Sequence, residues 1–532
     1  MSQILAFAPY ASEGIIITIE ADIRRGIPGI DMSGLAEGAV RESRERVRAA
    51  FRNSGIDFPQ DRLLINLAPA GVRKDGAALD LPIALAVYAA SRERPFSASL
   101  MVLGELELSG KIRPVRGCLA AVAAGIEAGV KHFIVPKENI GEAAVLCKKQ
   151  GLSCRGPETL SDAVDCFLSF AEKGLFANEA VSCTLPPAES TALYPEGDFS
   201  EVQGQALYKR AMEIAAAGGH NTLVFGPPGG GKTMLARRTP GIMAALTEGE
   251  AVEATRLHSL AGCLGHAALI DRPPFRSPHH SASAEGLLGG GRMVRPGEVS
   301  LAHLGLLFLD EAPEFRVNVL QALREPLEEG SVTIVRAEGP LHLPADFQLI
   351  LAANPCPCGR LGQKRRGEKG SANNFGAGCF CAPDEIYRYW KKFSGALLDR
   401  VELRVPVTQP DMTSNNTQKG ERSALIAGRV EKAVSIQRER YKKSSIRRNV
   451  RMQSAHIEAF CRLSPSAESL LVKAVEKLNL SGRAFHGTLR VARTIADLQT
   501  EDTIKEAHIE EAIEFRRWGE DPYDILSFDR FS

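Results

Sequence analysis

The stretch TLVFGPPGGGKTMLARR, residues 222–238, leaves few folds open to the chain that carries it. Four strand-forming apolar residues run into a glycine-rich loop, and helix-forming residues follow at once. A strand that feeds a helix through such a turn is the opening unit of a parallel α/β sheet. Gly226, Gly229, Gly230 and Gly231, with Pro227 and Pro228 between them, let backbone N–H groups curl round an anion. The helix N-terminus beyond adds a favourable field. Lys232 then reaches the outer phosphates of a nucleotide, and Thr233 offers a hydroxyl to magnesium. A plain glycine-rich turn is the competing reading of the loop taken alone.

Two more apolar runs end in chemistry. LLFLDE, residues 306–311, places Asp310 at a metal and Glu311 where it polarises an attacking water; a core strand ending in solvated acids is the blander alternative. LILAAN ends at Asn354, which positions water or senses the third phosphate, unless it is an ordinary loop asparagine. Taken together, the three strand ends lead us to expect ATP hydrolysis with Mg2+. Two arginines extend the argument. Arg400, closing the run LLDR, stands ready to enter a neighbour's active site, and Arg483 opens a helix whose Phe485, Leu489, Ala492 and Ala496 share one face, which leaves Arg483 free. An arginine given in trans stabilises charge on the transferring phosphoryl and so calls for an oligomer. Surface salt bridges are the alternative for both.

The 532 residues suit three or four domains, and 44% apolar content excludes a disordered chain. With 65 basic against 64 acidic side chains, a general nucleic-acid coat is unexpected, although a local basic channel is not. No apolar run is long enough to span a bilayer and the start has no signal-peptide pattern, which points to the cytoplasm. We expect an N-terminal α/β domain over 1–168, a linker over 169–198, an α/β core over 199–412 and a helical C-terminal domain over 413–532. RLLINLAP reads as a strand, Asp80 as the N-cap of the helix after it, and Ser464–Pro465 and Ser481 as helix starts.

Eleven cysteines do not suggest a disulfide scaffold, but Cys356, Cys358, Cys379 and Cys381 form two C-x-C pairs. Four thiolates suit structural Zn2+, with packed free thiols as the alternative. The loop 276–300, with Arg276, Arg292 and Arg295, and a hairpin over 331–343 are candidate DNA contacts. The patch RERYKKSSIRR at 438–448 reads as a solvated helix face. With no base-reading motif, any DNA binding is expected to be sequence-independent.

GPPGGGKT, LLFLDEAPEF, ALREPLEEG, NPCPCG, LLDRVEL and SGRAFHGTLRVARTIADL together resemble the magnesium-chelatase-like AAA+ ATPases of the ComM/YifB group, over nearly the whole chain. The resemblance implies an AAA+ P-loop core with a helical lid, and it gives Asn354, Arg400 and Arg483 the roles of sensor, finger and second sensor. It further implies a hexameric ring acting on branched or single-stranded DNA, in branch migration during natural transformation and recombination, with recombination proteins as partners. Gly230 stands where a hydroxyl residue is usual, and Gly487 where the group tends to carry arginine. The stretch RKDGAALDLP looks like the nucleophile turn of a Lon-type peptidase, with Ala78 in the serine's place, and no lysine occurs from Gly117 through Val130. A Lon/S5-like domain without the Ser–Lys dyad is therefore expected, with Lys74 and Asp75 as turn residues. A chelatase-type motor remodelling a protein, an inactive Lon relative and a non-motor adaptor are the other functions weighed.

Overall fold

The computed structural model describes residues 2–9, 14–34, 38–70, 77–92, 100–173, 197–264, 269–291, 294–336, 339–361, 379–408, 420–478 and 480–516. Lys74, Asp75, Arg292, most of the expected linker and residues 362–378 between the two cysteine pairs lie outside these residues. Two compact units result. The first holds Met1–Ser190 together with Ala251–Ile270 and Arg292–Pro296; the second holds Thr191–Glu250, Asp271–Gly291 and Gly297–Ser532.

In the first unit a seven-stranded sheet runs in the order Gly29–Ser33, Arg62–Ala68, Ile15–Arg24, Ser2–Ala8, Leu100–Val102, His132–Ile134, Ser153–Arg155. Antiparallel pairing joins Arg62–Ala68, Ile15–Arg24 and Ser2–Ala8, and the remaining pairs are parallel. Ile15–Arg24 and Arg62–Ala68 bury alternate residues, as expected of strands with one packed face. The helix Asp80–Ser91 is apolar all round and correspondingly buried. Leu160, Ala163, Val164, Phe167 and Phe170 make the inner stripe of the helix Leu160–Lys173, which continues past residue 168.

Asp80 does not cap its helix. Leu79 holds the cap position, and the fully buried Asp80 carboxylate accepts from Arg46 Nε at 2.7 Å, Arg46 Nη2 at 3.0 Å, Ser43 Oγ and Leu106 N. A buried ion pair has overridden the local capping preference. Ala78 sits in the short turn Ala77–Leu79, while Leu119, Ala120 and Ala121 are buried in the helix Cys118–Glu127. Residues 251–261 of the helix Glu248–Ala261 complete this unit: Ser259 Oγ donates to the buried Glu142 at 2.7 Å, and Leu260 enters the apolar core.

The second unit is built on a five-stranded sheet in the order Phe275–Arg276, Leu306–Leu309, Gln348–Ala353, Thr222–Phe225, Leu403–Pro406. Every pair is parallel, and the three middle strands are wholly buried. That burial matches their unbroken apolar sequences. The strand ending at Asn354 therefore lies between the strand that opens the glycine-rich loop and the strand that ends at Asp310. Among the described residues five C-terminal helices follow: Ser423–Arg440, Ser454–Phe460, Pro465–Leu478, Gly482–Leu498 and Glu506–Arg516. Both Ser464 and Ser481 stand just before their helices; Ser481 Oγ accepts from Ala484 N at 3.2 Å. A buried polar network ties these helices together. Asp497 accepts from Arg440 Nη1 at 2.8 Å, Arg493 Nε at 3.1 Å and Asn449 Nδ2 at 2.8 Å, and Asn449 also reaches Thr494. Arg440 is thus structural, as is the buried Tyr441, whose hydroxyl donates to Asn449 Oδ1 at 2.6 Å, so the basic patch is only partly a solvated face.

Candidate functional site

The glycine-rich loop needs its glycines for specific steric reasons. Gly226 leaves the strand at φ 159°, and a Cβ there would stand 2.1 Å from Val407 O. Gly229 and Gly231 take φ 80° and 81°, which other residues rarely adopt. At Gly230 a Cβ would meet Val407 Cγ1 at 2.9 Å, so the place of the usual hydroxyl side chain is taken by a buried valine. Gln205 Nε2 holds the loop from outside, donating to Gly230 O at 3.2 Å and Thr408 O at 2.6 Å. Tyr208, buried, donates its hydroxyl to Lys232 O at 2.9 Å.

Lys232 Nζ donates to Gly226 O at 2.6 Å, Pro227 O at 3.0 Å and Asn354 Oδ1 at 3.1 Å. Burial depresses this ammonium to about 8, against the pull of Asp310 and Glu311. Binding a nucleotide above that pH requires proton uptake. ATP affinity is therefore expected to be level below about pH 8 and to fall by up to roughly tenfold per pH unit above it, as read by fluorescent-nucleotide titration.

Thr233 Oγ1 donates to Asp310 Oδ2 at 2.7 Å, which puts the hydroxyl and the carboxylate side by side, as a shared Mg2+ requires. Glu311 follows in the left-handed region at φ 48°, with its N–H on Asp310 Oδ1 at 3.0 Å. A non-glycine residue held there is costly and marks functional turns. The turn leaves the Glu311 side chain exposed, with His280 Nδ1 4.0 Å from its Oε2. Asn354 is backed by aromatic packing: Tyr389 and Trp390 are buried, and Trp390 Nε1 donates to Pro355 O at 3.0 Å. Nothing in the sequence singles out Gln205 or Tyr208, whereas His279 and His280 read there as polar loop contacts or a metal pair, and His280 lies beside Glu311.

The two arginines do not reach this loop. Arg400 O accepts from Asn221 Nδ2 at 2.8 Å, and Asn221 precedes the strand Thr222–Phe225, so Arg400 lies at the end of the sheet opposite Gly226, Asp310 and Asn354. Its Nη2 is paired with Glu328 Oε2; Arg483 Nη2 donates to Glu328 Oε1 at 2.5 Å. Contrary to expectation, Arg483 is not free. Arg276 is likewise engaged, donating from Nε and Nη2 to Glu298 at 2.7 Å each, which removes it from the set of open phosphate contacts. Gly487 is buried on its helix, where a Cβ would lie 3.5 Å from Glu402 Cγ.

All four paired cysteines converge. Cys356 Sγ lies 3.4 Å from Cys358 Sγ and 3.7 Å from Cys379 Sγ; Cys358 and Cys379 are 3.6 Å apart, and the four sulfurs lie within 4.8 Å of one another. A tetrahedron with metal–sulfur bonds of about 2.3 Å has edges of about 3.8 Å, so the set fits zinc.

A parallel sheet with a phosphate-loop lysine, a threonine–aspartate pair and an asparagine-ended strand between them defines a P-loop ATPase of the AAA+ type. Family models described as magnesium chelatase, subunit ChlI, match residues 198–415, 19–139 and, for its C-terminal part, 420–516. The YifB protein of Salmonella typhimurium is 40% identical over 504 residues, 94% of either chain. Competence protein ComM of Haemophilus influenzae is 39% identical over 517 residues, 95% of this chain and 96% of its own. The chain belongs to the YifB/ComM group of magnesium-chelatase ChlI-like AAA+ ATPases. Its N-terminal region is also similar to the Lon protease of Desulfovibrio desulfuricans, 28% identical over 142 residues, 25% of this chain. Among the described residues no helix is long and apolar enough to cross a membrane.

Proposed function

We propose that the chain is an ATP-driven DNA translocase, acting as a ring on branched or single-stranded DNA without sequence preference. One observation carries this reading: the phosphate-loop lysine, the metal pair and the sensor asparagine share one end of the sheet, whereas Arg400 lies at the other. An arginine so placed serves a neighbour's nucleotide, and a closed set of such neighbours is a ring. The likeness to a protein named for competence favours DNA as the track.

In this reading Lys232 leaves its carbonyl partners for the outer phosphates of ATP, and Asn354 keeps it aimed. Thr233 and Asp310 would hold Mg2+, which would supply positive charge to offset that developing on the phosphates. Glu311 orients the attacking water and accepts its proton. Arg400 and Arg483 of the adjacent subunit stabilise the transferring phosphoryl. The hairpin of Ser331–Arg336 and Gly339–Pro344, with Val335 79% exposed, is the element offered to DNA. Loss of the Ser–Lys dyad leaves the N-terminal unit a docking role rather than proteolysis.

ATP turnover measured with and without forked DNA tests the reading. Stimulation by DNA supports it. Turnover indifferent to every DNA structure sinks it and favours the second reading, a motor that remodels a protein, for which the chelatase models speak.

The cysteine set is assigned to one structural zinc. Elemental analysis is expected to find about one zinc per chain. In the Cys358→Ser, Cys379→Ser double variant the zinc is lost and the melting midpoint drops, because the metal's binding energy is part of folding energy. A metal-free protein with an unchanged melt removes the assignment.

A further inference from the structure

Arg400 and Arg483 come from distant parts of the chain, one after the short helix Gly395–Leu398 and one in the first turn of Gly482–Leu498. Both end on the two oxygens of a single carboxylate, Glu328. Two guanidinium groups this close repel unless an anion lies between them. Glu328 is firmly placed to be that anion. It belongs to the helix Arg324–Glu329, and Arg451 Nη1 donates to Leu327 O at 2.7 Å and Glu328 O at 3.2 Å. The same Arg451 grips Asp346 Oδ1 through Nε at 2.9 Å and Nη2 at 2.5 Å. The two arginines hold the Glu328 carboxyl below the usual carboxylate range, chiefly through the Arg400 hydrogen bond.

The pair is not saturated. A guanidinium carries five donors. Among the described residues Arg483 commits only Nη2, and Arg400 commits Nη2 to Glu328 and Nη1 to Ala396 O while its Nε has no partner. One negative charge between two positive ones leaves a net positive site; the Arg400 Nε is buried, and the uncommitted donors of the half-exposed Arg483 are those open to a further anion.

We propose that Glu328 is a positioning residue: its carboxylate spaces Arg400 and Arg483 so that both meet the same phosphoryl group of a neighbouring subunit's ATP. This rests on the reading that the two arginines act in trans. An exposed salt bridge without such a role contributes almost nothing measurable, so the alternative makes an opposite forecast.

Steady-state ATPase on E328A, E328Q and E328D, with R400A run in parallel, decides the matter. Misplacing a transition-state contact by about 1 Å costs up to roughly a hundredfold in rate. E328A and E328Q are therefore expected to lose about tenfold to a hundredfold in kcat. KM for ATP should stay within about twofold, because the phosphate loop lies at the other end of the sheet. E328D, which restores the charge, should regain part of the rate. The near-isosteric E328Q keeps the test readable if E328A melts early. Wild-type kcat in E328Q while R400A is inactive overturns the inference, as does a change confined to KM. Should R400A itself turn over ATP normally, the trans reading of the arginines falls and this inference with it.

Discussion

Arg400→Ala is expected to abolish coupled ATP turnover while leaving nucleotide binding intact. An arginine supplied to the transferring phosphoryl is worth about 10³–10⁵ in kcat, and the Arg400 side chain stands far from its own phosphate loop. Binding of a fluorescent nucleotide, which reads the subunit's own Gly226–Thr233 loop, should therefore match the unaltered protein. The distinguishing measurement is subunit mixing. Arg400→Ala subunits keep a complete loop, and Lys232→Ala subunits keep a complete finger. Mixed before assembly, the two inactive proteins should recover part of the turnover at those interfaces where an intact loop faces an intact finger. No recovery at any ratio would place Arg400 in cis, against the sheet geometry.

Replacing Lys232 itself is the second large effect. Lys232→Ala removes the only ammonium that hydrogen-bonds within the loop among the described residues, donating to Gly226 O, Pro227 O and Asn354 Oδ1. Loss of one preorganised donor at a developing charge costs about 10²–10³ in rate. Here the donor is also a buried cation, so turnover is expected to drop by at least about 10³, with weakened ATP affinity besides. Arg400→Ala and Lys232→Ala thus share a loss of rate and differ in binding. A Lys232→Ala protein with normal turnover would mean that the loop is a structural turn after all.

The phosphate loop, the Asp310–Glu311 turn and the Asn354 strand were legible because each is a local pattern: apolar residues followed by glycine, lysine, carboxylate or amide. Their meeting follows from parallel pairing, which gathers strand ends on one side. What escaped depends on partners remote in sequence. Asp80 looked like a cap because aspartate before an apolar run normally is one, and no local signal announces Ser43 and Arg46 across the fold. Arg483 looked free because its helix shows where Phe485 and Leu489 pack, not what Glu328 offers from another helix. The pairing of Arg276 with Glu298 is hidden from the local sequence for the same reason. The left-handed turn at Glu311 has no sequence mark at all, since glycine or asparagine is what such a turn ordinarily selects.

The strand Gln348–Ala353 touches both catalytic neighbours along its length, and its upstream end continues from the hairpin strand Gly339–Pro344. A fully buried strand, bonded on both edges, resists stretching far more than the loops around it. In the proposed translocase it would serve as a push-rod, carrying a displacement of Asn354 on phosphate release to the hairpin without a separate lever.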